Sequence, residues 1–346
     1  MNHGLDQRNL QVLNTIIEEY ISTAAPVGSK LVSKNSDLKL SPASMRNSMS
    51  ELTELGFLEQ PHTSAGRVPT NKAFRLYIDR MLYVKPLDEG AKNVIVQSLD
   101  LDELAINDIF RKAAGLTADR CNQVSMLLAP ERKSARWSGI GFTQSGRNKV
   151  LAVLALEGGM IETRLINTDS NFSTDELVRF GNYLNAHFKG LSLWAARQAI
   201  LDELTRAGRD LQQIFKQALT LGVQAVDNMD MNRELFVDGT RAIFDQAEFA
   251  DLSSAREMFA FLEERSRLLE LLDAALSNSS VHVSFCDEES GLPGCSMVSA
   301  PYGSENTVSG VISVIGPSRM NYSAVMPVLS CISGALTKIL EVRAQD

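Results

Sequence analysis

Between Leu40 and Thr70 the chain reads LSPASMRNSMSELTELGFLEQPHTSAGRVPT, and its polar residues are of the kinds that read a DNA duplex. Asn bonds adenine twice, Arg takes a guanine edge or a phosphate, and Ala meets a thymine methyl. Ala43, Ser44, Arg46, Asn47 and Ser50 crowd one short stretch. At about 100° per residue, with Met45 centred on a buried face, Ala43, Asn47, Ser50 and Glu51 point away from it. Arg46 and Ser44 then flank it. Such short side chains let a helix backbone approach a groove floor. A second polar group, His62, Thr63, Ser64 and Arg67, surrounds Gly66. An Arg at a turn suits a minor groove or a phosphate, and the hydroxyls and imidazole suit the sugar-phosphate backbone. The bland alternatives are a solvated helix, a surface Arg paired with a carboxylate, and a His that only fixes its turn.

The elements around these residues favour DNA. Ser41 is a good N-cap and Pro42 suits the first helical position. Met45, Met49, Leu52 and Leu55 recur at helical spacing, and Gly56 is the stop. Phe57-Leu58 and Arg67-Val68-Pro69 predict two short strands about the polar turn. Upstream, Leu10, Leu13, Ile17 and Tyr20 form the stripe of a helix from Asp6 to Thr23. Ser29 caps a second short helix over 30–35. Three helices followed by a β-wing make a winged helix-turn-helix. Ser29, Lys30 and Ser41, at the starts of the second and third helices, complete the candidate DNA-binding set.

The chain has 346 residues, 44% hydrophobic and 22% charged, and two or three domains are expected. The net charge of -8 argues against nucleic acid, but its distribution does not. Residues 1–85 carry ten Lys/Arg against eight Asp/Glu, leaving 24 against 34 in the remainder. A mildly basic head on an acidic body suits a DNA-binding domain joined to a body with another task. The four cysteines (Cys121, Cys286, Cys295, Cys331) show no CxxC pair and read as reduced thiols. No signal segment and no apolar run of membrane-spanning length is evident, so a cytoplasmic protein without a membrane partner is expected.

From Asn71, Phe74, Tyr77, Ile78, Met81 and Leu82 continue as a helix that ends at Lys85-Pro86, the first domain boundary. Residues 91–120 are again helical. Short β-branched runs follow: Ser125–Leu128, Gly139–Phe142, Val150–Leu156 and Met160–Ile166, with Gly158-Gly159 as a hairpin turn. Ser173 and Glu176 form a capping box for a helix carrying Leu177, Phe180, Leu184 and Phe188 and stopped by Gly190. More strands are expected at Val281–Phe285, Cys295–Ala300 and Thr307–Ile315, then a helix from Asn321 to Arg343. Between these blocks, Trp194 to Leu276 reads as almost wholly helical. The expected organisation is α+β and multidomain: 1–85, then 86–193 with 277–346, split by a helical insertion at 194–276. The Leu-rich helices of that insertion need a partner, within the chain or across a dimer.

APVGSKLVSK and the 40–70 stretch extended through NKAFRLYID resemble the N-terminal domain of the HrcA family of bacterial heat-inducible transcription repressors. Pro61 to Arg67, PHTSAGR, is the most specific piece. Ser44-Met45 and Val68 depart from the commoner Thr-Ile and Ile with size and polarity kept. ELFVDGTRAIFDQAEFADL, Glu234 to Leu252, looks like a second family hallmark. The resemblance implies a winged-helix domain, a GAF-like domain in the two instalments above, and a helical dimerising domain inserted into it. It further implies repression of chaperone operons by a homodimer on the CIRCE inverted repeat, with the GroE chaperonin assisting the repressor to its active fold. Heat is then expected to lower the fraction of folded dimer.

Enzyme chemistry finds little support. HExxH, a P-loop and CxxC are missing, and Gly139-Ile140-Gly141 lacks the rest of a dinucleotide fingerprint. Ser36 to Lys39 matches SxxK, a short pattern common by chance. No catalytic residue, metal or cofactor is expected. The competing readings are a ligand sensor or enzyme whose winged helix serves protein contacts, and a small-molecule effector in the GAF-like pocket. A GAF-like fold kept as a scaffold is preferred to the second.

Overall fold

The computed structural model describes residues 5–35, 41–62, 65–99, 105–130, 136–157, 161–206, 213–226, 233–286, 291–304 and 307–343. Three helices open the chain: α1 (Gln7–Thr23), α2 (Ser29–Asn35) and α3 (Pro42–Glu54). Asp6 caps α1 through the Asn9 N–H, and α1 stops where Ala24 turns left-handed, its N–H bonding Tyr20 O. α2 begins at Ser29 itself, one residue earlier than expected. β1 (Leu58–Glu59) and β2 (Val68–Pro69) pair antiparallel, Leu58 opposite Pro69. α4 (Asn71–Leu76), capped by Thr70, runs into a π-helical turn, Tyr77–Met81.

α5 (Glu89–Leu99) and α6 (Ile106–Cys121) lead into β3 (Val124–Leu128). A meander follows, β4 (Trp137–Gly146), β5 (Lys149–Leu156) and β6 (Ile161–Asn167), covered by α7 (Thr174–Phe188), α8 (Leu193–Arg206) and α9 (Gln213–Val226). β7 (Leu235–Asp238) and two 3-10 turns precede α10 (Leu252–Glu263) and α11 (Arg265–Ala275). β8 (His282–Phe285), β9 (Cys295–Ser304), β10 (Thr307–Pro317) and α12 (Tyr322–Arg343) complete the order.

Among the described residues the strands form three sheets: the β1–β2 ribbon, the meander, and a five-stranded antiparallel sheet in the order β7-β3-β10-β9-β8. Alternation divides the five-stranded sheet. Leu127, Val298, Ala300, Ile312 and Val314 face α6 and α12, in one apolar cluster that continues into α1, α3 and α4. Val124, Met126, Leu128, Met297, Val311 and Ile315 face α10 and α11. α12 is long and apolar enough to cross a bilayer by length and composition, yet Val325, Leu329, Ile332 and Leu336 are buried against this sheet.

The meander and its helices form a separate layer. Val150, Ala152, Leu154 and Leu156 meet Phe180, Leu184, Ile200 and Leu219. Asn185 locks α7 to β4: its Oδ1 accepts from Ile140 N and Trp137 Nε1, and its Nδ2 donates to Ile140 O. Ser173 and Glu176 make the expected capping box.

The mixed α+β class agrees with the sequence, but the block 194–276 is not wholly helical. β7 lies inside it and pairs with β3 at the edge of the five-stranded sheet. α10 and α11 cover that sheet, whereas α8 and α9 belong to the meander layer. The segment interposed between β3 and β7 therefore contains β4–β6 with α7–α9. Leucine spacing tells that a helix has an apolar face but not which sheet covers it, and a four-residue strand is too short to show a period. Gly158, Gly159 and Ser36–Lys39 lie outside the described residues.

Candidate nucleic-acid interface

The geometry of α3 follows from its sequence. Ser41 Oγ accepts from Ser44 N at 3.2 Å, Pro42 occupies the first turn, and Met45, Met49 and Leu52 are buried. The apolar side packs against α1, α2 and β1. Ala43, Arg46, Asn47, Ser50 and Glu51 are exposed, and Ser44 is half-buried with its Oγ 3.1 Å from Ser41 Oγ. The hydroxyls of Ser41 and Ser44 are thus engaged at the cap, while Asn47 and Arg46 project from the outer face. Ser48 is fully buried with its hydroxyl unpartnered. Lys30 is exposed and Ser29 half-buried at the start of α2.

The ribbon is braced from both ends. Phe57 N bonds Leu52 O, and Thr70 Oγ1 donates to Gly56 O at 2.8 Å, where Gly56 has φ +75°. Lys72 Nζ bonds Leu55 O at 2.8 Å and lies 4.4 Å from the Phe57 ring centroid. Ala65 N bonds His62 O at 2.8 Å, and His62 itself is exposed. Thr63 and Ser64 fall outside the described residues. Arg67 and Val27 exchange two backbone bonds of 2.9 Å, tying the ribbon to the turn before α2. That approach requires Gly66, since a Cβ there would stand 2.5 Å from Val27 C and O.

The Arg67 side chain is placed differently from the expectation. It is half-buried, and its Nε donates to Thr53 Oγ1 at 3.1 Å, which itself donates to Met49 O. One donor of the guanidinium is therefore spent on α3. Thr53 and Val27 are positioning residues that the sequence did not single out. Their partners lie 14 and 40 positions away, and neither residue belongs to a pattern that names a partner.

The structure brings Ser29, Lys30, Ala43, Ser44, Arg46, Asn47, Ser50, His62 and Arg67 into the one small unit of α1–α4 and the ribbon. Among the described residues no group of three or more His, Cys, Asp or Glu is arranged to hold a metal ion.

A family model described as the HrcA protein C-terminal domain matches residues 107–326. The chain is 51% identical over 345 residues to a heat-inducible transcription repressor HrcA of Nitratidesulfovibrio vulgaris, covering 98% of this chain and 97% of that protein. It is 35% identical to the protein of the same name from Geobacter sulfurreducens, covering 97% and 98%. A crystal structure of a hypothetical protein at 2.2 Å resolution superposes with a TM-score of 0.69 at 19% identity, covering 98% of this chain and 99% of that one. That likeness concerns the fold.

Proposed function

The chain belongs to the HrcA family of heat-inducible transcription repressors, and we propose that it represses chaperone operons as a homodimer bound to the CIRCE inverted repeat. The observation that carries this reading is the outer face of α3, where Ala43, Asn47 and Ser50 stand exposed beside Arg46. Short side chains admit the backbone to a major groove, with Asn47 as the adenine reader and Arg46 on a guanine edge or phosphate. The β1–β2 ribbon acts as the wing, and Ser29, Lys30, Ser41, Ser44, His62, Thr63, Ser64 and Arg67 surround the contact. The five-stranded sheet with α6, α10, α11 and α12 acts as the GAF-like body. The protein works in the cytoplasm without a cofactor and without a catalytic role.

A palindromic operator calls for two copies. The apolar positions of α8 and α9, among them Ile200, Leu219 and Leu221, are buried within their own layer, so those side chains do not themselves form a dimer surface. The meander supplies one. Its outer face pairs Leu151 with Leu165, Val153 with Thr163 and Ala155 with Ile161. Ile161 and Leu165 are 63% and 51% exposed, and none of the six is charged. Two such faces from two copies close on each other. The GroE chaperonin then assists the chain to this dimer, and heat lowers its folded fraction.

The test is fluorescence anisotropy of a CIRCE-type inverted repeat against a scrambled duplex across a salt series. Tight binding of the inverted repeat alone, with a slope of several ions, is the expected result. Equal weak binding of both duplexes, persisting after chaperonin is added, would overturn the reading.

A further inference from the structure

Among the described residues one guanidinium, that of Arg319, bonds both the α1–α4 head and the body. Arg319 lies in the turn between β10 and α12. Its guanidinium grips the Glu248 carboxylate through Nε and Nη2, the latter at 2.9 Å, and Nη2 also reaches Gln246 Oε1 at 3.4 Å. Its remaining arm, Nη1, donates to Ile21 O at 3.3 Å, in the last turn of α1. A cation there meets carbonyls with no helical partner and the negative end of the helix dipole. Gln246 is held in turn by Asn122 O at the end of α6. The fork is planar and rigid, so its four bonds to three residues fix angle as well as distance.

An apolar joint lies beside the fork. The Phe74 ring of α4 stands 6.3 Å from both Phe285 of β8 and Tyr322 of α12, and 6.4 Å from Tyr20 of α1. Phe74 and Tyr322 are each 1% exposed. The Tyr322 hydroxyl is anchored to Ser318 O at 2.6 Å, one residue from Arg319. Head and body therefore share a single packed cluster.

We propose that Arg319 is a positioning residue for operator binding: by fixing the head to the body it sets the separation and angle of the two heads of a dimer, and with them the spacer length of the inverted repeat that is accepted. This rests on the repressor reading above. Half-site spacing is a geometric property of a dimer whose heads cannot swing. A head on a loose joint adapts to several spacers.

The experiment uses the full-length protein with a panel of inverted repeats whose spacers differ by one base pair up to about five, roughly half a helical turn, and a lone half-site duplex. Wild type is expected to prefer one spacer at least tenfold over the half-turn change. Arg319→Ala is expected to flatten that preference to about twofold while half-site affinity stays within about twofold. Arg319→Lys, which keeps the charge without the fork, and Glu248→Gln, which keeps the shape without the charge, should fall between. A merely structural loss lowers every affinity alike and leaves the ranking of spacers intact. An unaltered preference in Arg319→Ala, or in Glu248→Gln should the Ala variant not fold, overturns the proposal. So does a wild type that binds the operator specifically yet ignores its spacing. A wild type that does not tell the inverted repeat from a scrambled duplex overturns the repressor reading itself.

Discussion

Arg67 Nε donates to Thr53 Oγ1 at 3.1 Å, joining the return strand of the ribbon to the last turn of the helix it flanks. Thr53 Oγ1 passes the link on to Met49 O at 2.8 Å. The side chain that the sequence offers as a DNA probe is thus, in the free protein, a brace between the two elements that would meet DNA.

A brace and a phosphate contact leave different signatures. Thr53→Val removes the acceptor while keeping the shape, so it should weaken inverted-repeat binding by a factor similar to that of Arg67→Ala. The salt slope should be unchanged in both. Arg46→Ala, which removes an exposed cation from the outer face of α3, should lower the slope by about one. Anisotropy titrations between about 50 and 200 mM salt measure all three. A silent Thr53→Val beside a shallower slope for Arg67→Ala would show that Arg67 meets a phosphate.

Gly66 allows no side chain. An added Cβ would meet Val27 C and O at 2.5 Å and Pro26 C at 2.7 Å, all of them backbone atoms that no rotamer change relieves. Gly66→Ala should cost about 1–3 kcal/mol by overpacking, and operator binding should fall with it because the ribbon loses its tie to Val27. Gly334, exposed within α12 with open space at its Cβ, is the control of opposite sign. Gly334→Ala should stabilise by about 0.5–1 kcal/mol. Urea denaturation followed by circular dichroism reads both.

The head was legible from the sequence because its signals are local. Ser41 with Pro42, the Met45–Met49–Leu52 stripe and Gly56 specify one helix within a few turns, and the structure has it within a residue or two. The same holds for Ser173 with Glu176. What failed to show were long-range pairings. β7 reads as part of a helical block, and only its register against β3, with Phe236 opposite Leu127, makes it a sheet edge. The division of the strands into two sheets was equally hidden, since Val150 and Val314 carry the same alternation whichever helices cover them. Arg319 gave no signal at all: its partners Ile21 and Glu248 are 298 and 71 positions away.

Asn47 is the cleanest test of base reading. It is exposed, on the outer face of α3, and no core contact depends on it. Asn47→Ala should leave the melting temperature within about a degree, because surface substitutions away from special features stay within ±0.5 kcal/mol. The same change should lose about 1–3 kcal/mol of discrimination between the operator and a duplex altered at one adenine. Equal loss on both duplexes would mean that Asn47 supports the helix without reading a base.

The dimer surface is tested at Leu165. Leu165 is 51% exposed opposite Leu151, on a sheet face whose pairs from Leu151–Leu165 to Ala155–Ile161 carry no charge, with Lys149 opposite Asn167 at its end. In a monomer, Leu165→Glu should be nearly silent, since a half-exposed carboxylate stays hydrated. In a dimer closed on this face, the two-fold axis brings in a second copy of the same substitution, and both carboxylates lose water against Leu151 and Val153. Burying unpaired charge is among the few changes that cost several kcal/mol. Sedimentation at micromolar concentration should therefore show the wild type as a dimer and Leu165→Glu as a monomer with an unaltered circular dichroism spectrum. Half-site binding should survive, because α3 and the ribbon are untouched. The inverted repeat should lose the gain from linked half-sites, on the order of a hundredfold or more. A Leu165→Glu protein that still sediments as a dimer would place the interface on another face of the molecule.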